Sequence, residues 1–541
     1  MNWRTSLTRK AENPNFLWSM VIAILGAGLV LGAIVQWVPY TFNADSDSIY
    51  DAIMMGWESD NDGAGVERIL SSDLPFDFRL VALAHLASAS YDVDDEPDDA
   101  ASEMDESEMA KLVTTFSVVD PDASVDEAEQ QIASQMLLSV AMGKIMPSLA
   151  EMASADPPVR YANQAIGAIA VSRQSFASAA QHFETEGQFP DANIARRFAL
   201  DTYAAADDNE SLRRLSQLPE YSPLISPSET LVIAEANRDW IGMAKVIPKL
   251  IGRRFQEGFA TALALIAGLG WLVLAIQMGQ AGATSSVRVW LCLVAVVMGG
   301  LSIWATHMID IWQELDWGIV ESNETVEGIK FYVLGVGLRE EVAKLLLLLP
   351  LLPVIIRRRS PIEAMIVSAC VGLGFAIVEN MGYFARSGGA DSMGRFLTAN
   401  FFHMSMTGIV GLSIARVFWK HHDISHALLT FLLVVLAHGF YDATIAVPGL
   451  QTFSMGGTII FILLSYQFFH EVRTAYDQRP QTISLTASFL FIVSMLTALT
   501  FVYVSWRFGY SSSLSMLSVD VIGLGVMVYM YLREMPNSLI R

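Results

Sequence analysis

Apolar and polar positions follow two different patterns along the chain. Ten apolar runs lie at 16–38, 259–278, 289–309, 329–356, 362–384, 396–419, 424–447, 453–469, 483–506 and 514–532. Each approaches or exceeds the roughly 20 residues that a helix needs to cross a bilayer core. The first run exceeds the 7–15 apolar residues of a signal peptide and no small-x-small cleavage site follows it, so it reads as an uncleaved anchor. Between the first and second runs the period changes. Ala165, Ile166, Ile169 and Ala170, then Phe176, Ala179, Ala180 and Phe183, recur at helical spacing, which predicts short amphipathic helices. The expected fold class is all-α: a polytopic helical membrane bundle of about ten transmembrane helices, with a helical domain after the first span. The expected divisions are a cytoplasmic N-terminus and anchor at 1–40, a helical domain at 41–255 and a membrane domain at 256–541.

Composition sharpens this division. Of 541 residues, 53% are apolar and 17% charged, with a mean hydropathy of +0.40; soluble chains carry about 25% charged residues. The net charge of −22 is uneven, since residues 41–250 hold 37 acidic and 13 basic side chains. That block is acidic and solvated, and it repels anionic headgroups. Short polar breaks at 187–190 and 207–211 separate its helices, in a pattern that resembles paired-helix repeats of the tetratricopeptide kind. The run 92–108 has ten acids and no base. It reads as a solvated loop, because the Gly-punctuated spacing of a calcium site is missing. Cys292 and Cys370 both lie in apolar runs, so no disulfide framework is encoded. No basic patch or motif points to nucleic acid, and no nucleic-acid partner is expected.

Orientation follows from Lys and Arg in the short loops. Arg4, Arg9 and Lys10 place the N-terminus in the cytoplasm, and alternation then puts Arg288, Arg357, Arg358, Arg359, Lys420, Arg473, Arg479 and Arg533 inside. The acidic loop 310–327 and the acidic domain fall outside. Lys249, Arg253 and Arg254 also fall outside, against the rule.

Ionisable groups inside apolar spans carry the chemistry. Each costs roughly 2.5–3.5 kcal/mol at a helix centre and persists by facing the bundle interior and finding partners. The fourth span holds Arg339, Glu340, Glu341 and Lys344. With Glu340 at 0° on a helical wheel, Glu341 lies at about 100° and Lys344 at about 40°, between the two carboxylates. Lys344 compensates one charge and Arg339 can offset another. Two carboxylates sharing a cation do not behave alike, so one can act as acid or base. The fifth span has Phe375 and Glu379 one helical turn apart, followed by Asn380; the sixth has His403; the seventh has His438 and Asp442 one turn apart. Counting from the outer end of each span, Glu340 lies roughly 16 Å deep, His438 roughly 13 Å, His403 roughly 10 Å, and Glu379 and Asp442 roughly 7 Å. All fall in the outer half of the membrane, which points to one shared site. His421, His422, Asp423 and His426 sit in a cytoplasmic turn, and His307 with Asp310 at the outer rim of the third span; both sets read as interfacial.

Several membrane-protease designs are excluded by pattern. There is no H-E-x-x-H zinc signature, no second aspartate motif beside Tyr441 and Asp442, and no Gly-x-Ser-Gly nucleophile. Taken together, Glu340, Glu341, Lys344, Phe375, Glu379, Asn380, His403, His438 and Asp442 resemble the PrsW family of membrane-embedded proteases over about 329–447. That family is distantly similar to the type II CAAX prenyl endopeptidases. Glu379 stands where those relatives have a histidine, and the cation follows the Glu pair at shorter spacing, so processing of lipidated CAAX proteins is not expected.

The resemblance implies regulated intramembrane proteolysis in a bacterial cytoplasmic membrane. Its substrate would be a single-span membrane protein such as an anti-sigma factor, cut near the extracytoplasmic side. It implies Glu340 or Glu341 as general base, with Lys344 holding the pair. It implies His438, positioned by Asp442, and His403 as groups that polarise the carbonyl or bind a metal. His403, His438 and Glu379 would fill three positions of a divalent ion such as zinc and leave one open; a metal-free glutamate mechanism uses the same residues. The competing classes are a proton- or ion-coupled transporter, which buries similar groups, and an inactive homologue that binds membrane partners.

Overall fold

The computed structural model describes residues 13–38, 74–89, 127–255, 258–280, 287–475 and 484–535, together with Ala11, Ile53, Ile69 and Ser72. The acidic run 92–108 and the loop residues Arg4, Arg9, Lys10 and Arg479 lie outside these. Every described element is helical. The chain divides into two compact units, one of Met1–Tyr40 with Ile247–Arg541 and one of Thr41–Val246.

The first helix, α1 (Pro14–Val35), opens on an Asn13 cap and Pro14, a residue preorganised for the first helical turn. The Thr41–Val246 unit then runs through α2 (Phe76–Ala89), α3 (Glu127–Ala141), α4 (Pro147–Ser154), α5 (Ala162–Ser172), α6 (Phe176–Glu186), α7 (Asn193–Ala205), α8 (Asn209–Ser216) and α9 (Pro227–Ala236), with α10 (Trp240–Arg254) following. Consecutive helices pack on one another around Phe78, Phe183 and Phe198, with the rings of Phe183 and Phe198 5.5 Å apart. The apolar positions at helical spacing, including Ala165, Ile166, Ala179 and Phe183, are buried here. Glu229 closes a capping box on Ser226. Burial pushes its carboxyl up, but the two-pronged bond from Arg197 wins and holds it at about 2. Asp77 differs: burial pushes its carboxyl up to about 7, and Arg160 only partly opposes this.

The other unit continues with α11 (Gly258–Gln280), α12 (Val289–Trp317), α13 (Thr325–Lys330), α14 (Leu338–Leu348), α15 (Leu352–Arg358), α16 (Pro361–Arg386), α17 (Ser392–Leu397), α18 (Ala399–Phe418), α19 (Ile424–Ala446), α20 (Ser454–Ala475), α21 (Leu485–Phe508) and α22 (Tyr510–Glu534). Eight helices among the described residues are long and apolar enough to cross a membrane, so the protein is a multi-pass membrane protein. The fourth predicted span is not one helix. It breaks into α13, a π-helical turn at Phe331–Gly337, α14, a 3-10 turn at Leu349–Leu351 and α15. Gly335 and Gly337 weaken its first half, and Pro350 and Pro353 interrupt its second. The tenth run is a helix, α22, outside the eight.

The central element is α16, nearly all of it buried, packed by α11, α12 and α18. Its crossing with α12 is backbone to backbone. A Cβ on Gly374 would collide with the Val296 carbonyl, and one on Gly299 with the Val371 carbonyl. Small residues permit such approach where lipid tails supply no hydrophobic drive between helices. A second aromatic core joins Trp271, Phe401, Phe489 and Tyr531. On the periphery, Leu428, Leu429, Leu432, Leu433 and Leu436 of α19 are exposed, as lipid-facing side chains should be.

Candidate active site

The π-turn sets up the site. π-Turns inside helices often mark functional positions. This one packs on α19 so closely that a Cβ on Gly337 would lie 2.7 Å from the Val435 carbonyl and 3.0 Å from the Gly439 nitrogen. The chain leaves the turn directly into Arg339, Glu340 and Glu341, while Gly439 follows His438. Backbone contact therefore brings the Glu pair of α14 against the histidine of α19.

Lys344 is the hub, with no exposed surface. An ammonium has three N–H donors. Nζ reaches Glu341 Oε1 at 2.8 Å, Glu340 Oε2 at 3.3 Å and His403 Nδ1 at 2.8 Å, and it lies 4.1 Å from the centre of the Phe375 ring. The lysine does sit between the two carboxylates, as the helical wheel requires. Arg339 does not join them. It pairs with Asp310 of α12; one residue before Glu340 on the same helix, it lies about 100° round from it, on the side away from Lys344.

Each histidine is held from a second side. His403 Nδ1 accepts from Lys344, so its N–H is on Nε2, 3.1 Å from Glu379 Oε2. His438 Nδ1 lies 3.0 Å from Glu341 Oε1, while its Nε2 is 3.3 Å from Asp442 Oδ2 and 3.6 Å from Glu340 Oε2. The two rings are 5.2 Å apart. Glu340, Glu341, Lys344, Glu379, His403, His438 and Asp442, drawn from four helices, thus form one connected network. The structure adds two residues to it. Arg395 bonds Glu379 at 2.9 Å, and Asn400 meets Asn380. Arg395 immediately precedes an apolar run, where a cation reads as an ordinary interfacial residue.

A cavity of about 880 Å³ opens onto this network. Glu340, Glu379, His403, His438, Asp442 and Arg395 line it, and Glu341 and Lys344 do not. An open space with ionisable groups on its wall is what hydrolysis inside a membrane requires. The candidate histidines outside it stay apart. His422 stacks on His426, and His307 meets Arg254.

The donor set fits a divalent ion. Glu340, His403 and His438 each offer a ligand atom, and these atoms lie within 4.8 Å of one another. Two imidazoles and a carboxylate match a catalytic zinc set with one open position. Both rings also have one nitrogen on a carboxylate, Glu379 for His403 and Glu341 for His438, the usual outer support of metal-binding histidines; at His403 the other nitrogen, Nδ1, is held by Lys344, a bond that an ion would have to replace. Charge agrees: four carboxylates meet two obligate cations, Lys344 and Arg395. The carboxylate within ligand distance of both histidines is Glu340, whereas Glu379, expected beside them, pairs with Arg395 and His403.

A polytopic helical bundle with a carboxylate–histidine centre on an open cavity has the parts that a membrane-embedded hydrolase needs. Residues 287–467 match the PrsW family intramembrane metalloproteases, and this segment is similar to that family. The transporter reading of the same residues gives way to that match. No curated protein matches the chain, and no solved structure does.

Proposed function

We propose that the protein cleaves single-span, membrane-anchored regulatory proteins, anti-sigma-factor-like in kind, near the extracytoplasmic side of a bacterial cytoplasmic membrane. The observation that carries the reading is the convergence of Glu340, His403 and His438 on one cavity wall. In the orientation set by the loop charges, the N-terminus is cytoplasmic and the acidic Thr41–Val246 unit is outside, where it serves as a sensor or gate for substrates.

Glu340, His403 and His438 would hold a divalent ion such as zinc, which when bound would supply a Lewis acid for the scissile carbonyl and lower the pKa of a water. Lys344 neutralises the Glu pair and fixes both carboxylates. Glu341 orients His438 and Glu379 orients His403. With Glu340 committed to the ion, Asp442 is the carboxylate left on the cavity wall to accept the water's proton and return it to the leaving amine. The substrate helix must unwind locally to present a carbonyl in the cavity.

The test is co-expression with single-span reporters, comparing membrane fragments released by the wild type and by Glu340→Gln. The reading requires a defined fragment from the wild type, lost in the variant and lost after chelation. Equal release from both would end it, as would proton-linked uptake by reconstituted vesicles without cleavage.

A further inference from the structure

Arg395 belongs to none of the motifs that identify the centre, yet it is built into it. It lies on α17, the short helix before the His403 helix, and its guanidinium is fixed on three sides. Nη2 donates to Glu379 Oε2 at 2.9 Å, Nε donates to Asn380 Oδ1 at 2.5 Å, and the guanidinium carbon lies 3.5 Å from the centre of the Tyr383 ring. Asn380 is itself braced by Asn400 at 2.5 Å. A guanidinium so clamped is preorganised, with little rotamer freedom left to lose.

The atom it grips is the informative one. Oε2 of Glu379 accepts from Arg395 and also faces His403 Nε2 at 3.1 Å. One oxygen therefore joins the arginine to the histidine. The partner of Nε2 determines which nitrogen of His403 carries its proton. With Nε2–H directed at Glu379, Nδ1 is left as a lone pair facing Lys344 and the Glu340 side of the centre. Other titratable groups that act on Glu379 are Arg254 of α10, Lys344 of α14 and Tyr383 of its own helix. Among the described residues, only Arg395 makes an ion pair of its own with that carboxylate besides His403.

We infer that Arg395 is a positioning residue of the protease: by clamping Glu379 it holds His403 with Nδ1 turned to the reacting centre. The inference rests on the proteolytic reading of the site and adds a residue to it. Arg395 acts through Glu379, so it differs from a group that binds substrate directly.

The experiment is a double-mutant cycle on the full-length protein in detergent, cleaving a single-span reporter, with kcat and KM measured separately. The set is wild type, Arg395→Gln, Glu379→Gln, the double variant and Arg395→Lys, each checked for an unchanged melting profile. Arg395→Gln should lower kcat at least tenfold and change KM less than twofold. The double variant should be no more than twofold slower than Glu379→Gln alone, because the arginine has nothing left to position. Arg395→Lys should recover part of the loss, since a lysine can pair with Glu379 but cannot also hold Asn380. If Arg395→Gln does not fold, partial kcat loss in Arg395→Lys that disappears in the Glu379→Gln background carries the same conclusion. A rise in KM with unchanged kcat would overturn the inference and make Arg395 a substrate-gripping group. Multiplicative losses in the double variant would overturn it too. Failure of the wild type to cleave, with Glu340→Gln no different, would instead remove the proteolytic reading itself.

Discussion

Nδ1 of His438 lies 3.0 Å from Oε1 of Glu341, so the histidine of one helix is oriented by a carboxylate of another. Within α19, Asp442 faces the opposite nitrogen, Nε2, at 3.3 Å. Two carboxylates therefore hold His438, Glu341 on Nδ1 and Asp442, as expected, on Nε2, and Asp442 also lines the cavity. Outer-sphere partners of this kind are worth about 10–100-fold in activity or metal affinity. Glu341→Gln should lose activity in that range while remaining in the membrane. Loss of all detectable turnover, with the fold intact, would place Glu341 among the reacting groups.

Glu340 and Asp442 should fail in different ways. Glu340→Gln removes a ligand, so purified protein should contain less zinc and be inactive. Asp442→Asn leaves the three ligand residues in place and removes a proton acceptor; metal content should stay near that of the wild type while kcat falls roughly 10²–10⁴-fold. Elemental analysis beside reporter cleavage reads both. Full metal content in Glu340→Gln would show that the glutamate is a base and not a ligand.

Lys344 is a stability residue as well as a functional one. It has no exposed surface and touches two carboxylates. Removing one partner of a buried ion cluster costs about 3–5 kcal/mol, because the remaining charge stays desolvated. Lys344→Met should lower the melting temperature sharply. Lys344→Met with Glu340→Gln and Glu341→Gln should recover much of the loss and remain inactive. If the single variant melts like the wild type, Lys344 does not compensate the pair.

The Thr41–Val246 unit should respond to pH through Asp77. Burial raises its folded pKa to about 7 from the ordinary 3.8. Between those values the folded state keeps a proton that the unfolded state has lost. Its contribution to stability is therefore full below about pH 4 and falls as pH rises towards 7. Above that range the cost is on the order of 4 kcal/mol at most. Asp77→Asn should remove the slope and raise protection of the Phe76–Ala89 amides from hydrogen exchange at pH 8, after correction for intrinsic rates. An unchanged slope in the variant would assign the pH response to other groups.

Much of this was legible in the chain because lipid imposes simple rules. Apolar runs marked the helices, and each ionisable residue within a run was costly enough to need a partner, which is why Glu340, Lys344, His403 and His438 stood out. What stayed hidden has physical reasons too. The run 329–356 has enough apolar residues on both sides of its charged segment to read as one helix, and the close backbone contact with α19 at the turn Phe331–Gly337 is not expressed in that pattern. Partner choice at His438 depends on where α14 emerges from that turn, which spacing within α19 cannot express. Arg395 precedes its apolar run, where a cation costs little and raises no question.

The contact between the π-turn and α19 tests whether this geometry matters for catalysis. A Cβ on Gly439 would collide with the Tyr332 carbonyl and the Val333 Cα, atoms of backbone that cannot swing aside. Gly439→Val must therefore push the turn and α19 apart. Glu340 and Glu341 ride on the helix that leaves the turn, and His438 is the residue before the glycine, so both sides of the site move in opposite directions. A displacement near 1 Å at a reacting centre can cost about 10²-fold, while strain of this kind costs about 1–3 kcal/mol in stability. Activity should therefore fall much further than the melting temperature suggests. Gly456→Ala is the control, because its Cβ would meet only Phe440, at 3.5 Å; it should keep both activity and stability. Equal, modest losses in the two variants would mean that the turn tolerates displacement and that the site is held by its hydrogen bonds alone.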